Sequence, residues 1–171
     1  MRKKKWNVEA LLSGALALLG FTGCSSGDEP VSLLYGSPSV DYRVLGTVTD
    51  TQGKPLEGIQ VVVENPDAWC YIDENGKSVE SKLDSESGKL VPDTVYTDKD
   101  GNFSSYKVEG FSDSKLVVEF QDIDGEANGG EFQLKRLTPK ELDKKQLKKG
   151  DFWYAGEYEY SKTVQLKRKG E

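Results

Sequence analysis

The stretch from Arg43 to Val63, RVLGTVTDTQGKPLEGIQVVV, constrains the fold more than any other part of the sequence. Tyr42, Val44, Gly46 and Val48 share one parity, and Ile59, Val61 and Val63 share another. A strand points successive side chains to opposite faces, so each run reads as half buried and half solvated. Between them, Asp50-Thr51-Gln52-Gly53 supplies turn chemistry: the Asp side chain can bond its own downstream backbone, and Gly takes positive φ without a Cβ clash. Pro55 suits a strand start or a sheet edge, and Gly58 a bulge or close backbone approach. The predicted element is a β-hairpin that carries no reactive group.

Other segments follow the same grammar. Thr94–Thr97 and Phe103–Val108 predict a second hairpin around Asp98–Asn102. Leu116, Val118 and Phe120 predict a well-buried strand, Phe132 and Leu134 another, and Glu157–Tyr160 with Thr163–Leu166 one last strand or pair. Thr138-Pro139-Lys140-Glu141 has the form of a helix start, with Thr as N-cap, Pro at the first helical position and Glu three residues on. It predicts a short C-terminal helix ending by Gly150, with Lys144-Lys145-Gln146-Leu147-Lys148-Lys149 as its solvated face or as a docking face for an acidic partner. About seven short strands with turns between them describe an all-β sandwich. A body of about 130 residues buries about two-thirds of its unfolded surface, enough to fold without disulfides.

The first residues obey different rules. Arg2, Lys3, Lys4 and Lys5 precede an apolar run from Ala10 to Phe21, which is too short to span a bilayer comfortably and suits a signal-peptide core. Phe21-Thr22-Gly23-Cys24 then resembles a bacterial lipobox, with Phe21 where Leu is usual. The alternative is an ordinary secretory signal with an incidental cysteine. The expected division is a signal peptide over 1–23, a flexible tether over 24–40 that is rich in Ser, Gly and Pro, and a sandwich over 41–171. Acyl chains on Cys24 would hold the protein to a membrane, since each buried methylene contributes about 0.8 kcal/mol. Asp28 and Glu29, close behind the cysteine, resemble the surface-export signal of some Gram-negative lipoproteins. The expected location is the outer membrane of a Gram-negative envelope, facing the periplasm or the cell surface.

Composition narrows the chemistry. No histidine occurs among the 171 residues, which removes Ser-His-Asp and Cys-His catalysis and imidazole metal sites. Removing residues 1–23 takes four basic and one acidic side chain from 23 and 29, leaving 19 and 28, a net charge of −9. An acidic body of this kind is a poor partner for nucleic acid and is expected to meet an anionic membrane only through its lipid.

The spacing Val44-x-Gly46-x-Val48-x-Asp50-x-x-Gly53-x-Pro55-Leu56-x-Gly58-x-x-Val61 resembles the start of carboxypeptidase-regulatory-like domains. Thr97-Asp98-Lys99-Asp100-Gly101-Asn102-Phe103 is similar to the later turn and strand of that family. The resemblance covers about residues 42–122 and implies a Greek-key, transthyretin-like sandwich, interrupted here by a polar insertion over 64–95. Over nearly the whole chain, the lipobox, Tyr35-Gly36-Ser37-Pro38, Phe120-Gln121-Asp122-Ile123-Asp124-Gly125-Glu126 and Trp153-Tyr154 resemble the radical SAM-associated lipoproteins. That resemblance implies a genetic neighbour, a radical SAM enzyme, and no mechanism.

Candidate sites are few. Asp122, Asp124, Glu126 and Asn128 alternate oxygen side chains through a Gly-rich loop, a pattern that offers ligands to calcium. The EF-hand spacing fails at Gly125 and Gln133, and a solvated turn explains the same residues. Cys70, between Trp69 and Tyr71, reads either as a small buried group or as an exported thiol open to modification, with the radical SAM neighbour as one conceivable agent. Trp69 and Trp153, near loops, are candidate contacts for a glycan or a protein ligand. No spacing singles out a catalytic carboxylate pair. The sequence therefore predicts a non-catalytic, lipid-anchored accessory or binding module, with a client of the radical SAM enzyme as the alternative and a carboxylate-based hydrolase as the least favoured reading.

Overall fold

The computed structural model describes residues 38–79, 84, 86, 90–127 and 130–170. Among them ten strands form: β1 Ser39–Asp50, β2 Gln60–Glu64, β3 Ala68–Ile72, β4 Asp93–Tyr96, β5 Asn102–Ser104, β6 Lys107–Gly110, β7 Val117–Gln121, β8 Lys135–Leu137, β9 Asp143–Lys149 and β10 Tyr154–Leu166. They make two sheets. The larger has the order β3-β6-β1-β10-β9, with β5 also on β1, and the smaller has the order β4-β2-β7-β8. The all-β sandwich expected from the sequence is thus present, with more strands than the seven or so predicted.

The alternating residues face inward as their parity requires. Tyr42, Val44 and Val48 of β1, and Tyr160, Val164 and Leu166 of β10, are buried against Val61, Val63, Val118 and Phe120 of the smaller sheet. Phe103 and Phe120 meet across the layers, edge to face, with ring centroids 5.5 Å apart. β1 and β10 lie parallel and in register from Val40↔Gly156 to Asp50↔Leu166. Gly46 is required here, because a Cβ at that position would lie 2.0 Å from the Lys162 carbonyl oxygen.

Both predicted hairpins are corrected by the topology. β1 and β2 do not pair with each other; they belong to different sheets, and so do β4 and β5. The turns form as expected, but each carries the chain across the end of the sandwich. Leu56, 2% exposed, closes that end. The Thr97 hydroxyl donates to the Leu56 carbonyl at 2.6 Å and accepts from the Ile59 N–H at 2.9 Å, so it ties the two crossings together.

Three turns share one geometry. Asp50 Oδ1 accepts from the N–H groups of Gln52 and Lys54, Asp73 Oδ1 from Asn75 and Lys77, and Asp98 Oδ1 from Asp100 and Asn102. In each, a glycine three residues after the Asp takes positive φ: Gly53 at 83°, Gly76 at 77° and Gly101 at 76°. The Asp73 turn lies inside the polar insertion, which also holds β3 and the start of β4.

The C-terminal helix is a second correction. Glu141 reaches back to the Thr138 N–H at 2.8 Å, as in a capping box, but only one 3-10 turn, Pro139–Glu141, follows. Leu142 is extended and buried, and residues 143–149 pair with β10 as the edge strand β9. Every residue of β9 is exposed. The run has no apolar period of its own, and the unpaired ladder groups of β10 decide its conformation. Its four lysines guard the edge against further pairing. The sheet also begins at Ser39, two residues inside the expected tether.

Candidate functional site

The outward face of the larger sheet carries the most suggestive group of polar side chains. Arg43 alternates with the buried Tyr42 and Val44 and therefore points away from the core. It lines a pocket of about 410 Å³ together with the Asp73–Asn75 turn, Ser104, Tyr106 and Lys107. The Arg43 Nε is shielded from solvent and has no hydrogen-bond partner among the described residues. Among the described residues the ion pairs leave Arg43 out, although Glu159 is its in-register neighbour on β10.

Several of the surrounding groups are already engaged, and Glu74 also lines the pocket. Lys107 Nζ pairs with Asp41 at 3.3 Å and with Glu109 at 3.7 Å. The Tyr154 hydroxyl donates to Asp41 at 3.0 Å; burial, and the bond to that carboxylate, hold its pKa well above the usual tyrosine value. Asp73 Oδ1 caps its own turn. Ser105 Oγ accepts from the Val44 N–H at 2.9 Å and donates to the Tyr106 carbonyl at 2.8 Å. Among the described residues the Arg43 guanidinium fork has no ion-pair partner. Such a fork suits a carboxylate or another planar anion, which it can grip through two parallel N–H donors.

The residues singled out from sequence are dispersed. Asp122 Oδ1 accepts from the Asp124 N–H at 3.2 Å and Oδ2 from the Phe132 N–H at 2.9 Å, so both its oxygens serve the loop. Glu126 is exposed, Asn128 lies outside the described residues, and no group of three metal-ligating side chains gathers among the described residues. Cys70 is half-buried on the outward side of β3, not in the core; its Sγ lies 3.1 Å from Ser78 Oγ. Trp69 is 39% exposed because a bulge between Ala68 and Cys70 turns it out of the ladder. Its ring meets Phe111 edge to face at 4.5 Å. Trp153 is 47% exposed and stands beside Phe152 at 5.0 Å. Cys24 lies outside the described residues.

Arg43 was missed from sequence. Its outward direction follows from the β1 parity, but its lack of a partner depends on β6 and the Asp73 turn, which reach it from elsewhere in the chain.

No protein-family model matches the sequence, and neither does any curated protein. Similar solved structures include the 3-chlorocatechol 1,2-dioxygenase of Rhodococcus opacus 1CP, at 14% identity and a TM-score of 0.40 over 77% of this chain. This chain spans 61% of that protein. The dioxygenase domain of a dioxygenase–carbohydrate-binding fusion from Streptomyces sp. SirexAA-E is similar at 16% identity and a TM-score of 0.43, over 78% of this chain and 84% of that one. The C-terminal domain of the shaft pilin SpaA from Lactobacillus rhamnosus GG is similar at 14% identity and a TM-score of 0.34, over 75% of this chain and 98% of that one. No residue role is carried over from these proteins.

Proposed function

We propose that this chain is a non-catalytic, lipid-anchored binding module of the cell envelope, with its ligand site in the pocket around Arg43. The observation that carries the binding reading is Arg43, which lines an open pocket and has no ion-pair partner among the described residues. A guanidinium beside such a pocket can grip a ligand carboxylate through two parallel N–H donors. The basic start, apolar run and cysteine of residues 2–24 support the anchor.

The test is an array of acidic peptides and uronic-acid glycans, probed with the mature protein and with Arg43→Gln. Binding to carboxylate-bearing probes that falls at least tenfold in the variant, with unchanged melting, is the expected result. Equal binding by the two proteins, or a preference for neutral probes, would overturn the assignment.

A further inference from the structure

Several of the most exposed aromatic side chains gather at one end of the larger sheet. Ala68 faces Gly110 across β3 and β6, Gly110 faces Val40 across β6 and β1, and Ser39 faces Tyr154 across β1 and β10. Trp69, Phe111, Phe152 and Trp153 adjoin these positions, so all four lie at the same rim. Phe111 is 55% exposed and Phe152 is 81% exposed. With strands spaced about 4.8 Å apart, the rim from β3 to β10 is about 14 Å wide.

The β9–β10 turn forms the tip of this rim. Leu147, Lys148 and Lys149 end β9, and Phe152 and Trp153 precede β10. Lys148 and Lys149 face Glu157 and Gly156. Two acids nearby are bonded, since Asp151 Oδ1 accepts from the Trp153 N–H at 3.0 Å and Asp67 Oδ1 pairs with Lys115 at 3.0 Å, while Glu157 stands opposite Lys148. Gly150 keeps the turn tight, since a Cβ there would lie 2.0 Å from the Tyr154 carbonyl oxygen.

We infer that this tip is a membrane-contact element, in which Phe152 and Trp153 enter the interfacial layer of the bilayer while Lys148 and Lys149 meet its phosphates. Aromatic rings flanked by lysines have the composition that partitions to this layer, where one end of each side chain is apolar and the other is wet. The position agrees: β1 begins at this rim, with Ser39 opposite Tyr154, and Cys24 precedes it in the sequence. A strongly acidic body meets the bilayer here through the part of its surface where cations and aromatics stand together. The inference rests on the anchor proposed above.

Brominated-lipid quenching tests it. The mature lipidated protein carrying Trp69→Phe, which leaves Trp153 as its one tryptophan, is reconstituted into phosphatidylethanolamine–phosphatidylglycerol vesicles and floated on a gradient. Blue-shifted emission that falls at least twofold with brominated lipid is expected, with the fall reduced by Phe152→Glu. Protein that floats with Trp153 unquenched overturns the membrane contact alone and leaves the rim to a protein partner. Protein that does not float overturns the anchor and this inference with it.

Discussion

Asp93 and Asp113 respond to burial in opposite ways. Asp93 is 5% exposed, and burial raises its pKa above the ordinary carboxylate value; the N–H groups of Tyr106 and Thr94 pull it down by less. A raised folded value means that the native state binds the proton more tightly. The associated stability is complete below about pH 4 and is lost as pH rises through the folded value. Asp93→Asn removes this term, so the variant is expected to gain stability relative to the parent as pH rises above about 4, read from urea midpoints at each pH. A pH-independent difference would show that the Asp93 carboxyl does not titrate within the fold. Burial pushes Asp113 up as well, but hydrogen bonds from Lys144 and Tyr160 outweigh it and leave its pKa lowered. Its contribution is present above about pH 4 and is lost as pH falls through the lowered value, so Asp113→Asn is expected to flatten the acid limb of the stability curve.

The three Asp-turns set an experiment at the scale of the element. A Cβ on Gly53 would meet nothing within 4 Å, whereas one on Gly101 would lie 2.5 Å from the Val48 carbonyl oxygen. Both glycines have positive φ. Gly53→Ala is expected to cost about 1 kcal/mol, for the backbone conformation alone. Gly101→Ala is expected to cost about 2–4 kcal/mol, because backbone must move as well. Equal urea midpoints for the two variants would mean that the Val48 strand yields freely. These turns also mark what was legible in the sequence. Asp50-x-x-Gly53 and Asp98-x-x-Gly101 stood out between apolar runs; Asp73-x-x-Gly76 did not, because its flanking strand carries only Tyr71 into the core. Turn chemistry specifies that the chain reverses, not which sheet receives it, and so the partners of β2 and β4 were misjudged. At β9 the local capping signal was read correctly, and pairing with β10 overrode what should have followed it.

For the whole molecule, the candidate site was the least legible part. An outward arginine on an alternating strand is ordinary, and only the assembled sheet shows the pocket that it lines. The proposed anchor, by contrast, is argued from sequence, and its test acts on the intact chain: Cys24→Ser is expected to abolish both acylation and the cleavage that follows it, read by intact mass spectrometry, and a variant cleaved as the parent is would count against lipidation. The pairing of β1 with β10 has a further consequence for how the molecule is made. The longest ladder in the larger sheet joins residues about 116 positions apart, so its closure must await segments made long after β1. Until Tyr154–Leu166 arrives, Ser39–Asp50 has no neighbour on that side, and the nascent chain stays open.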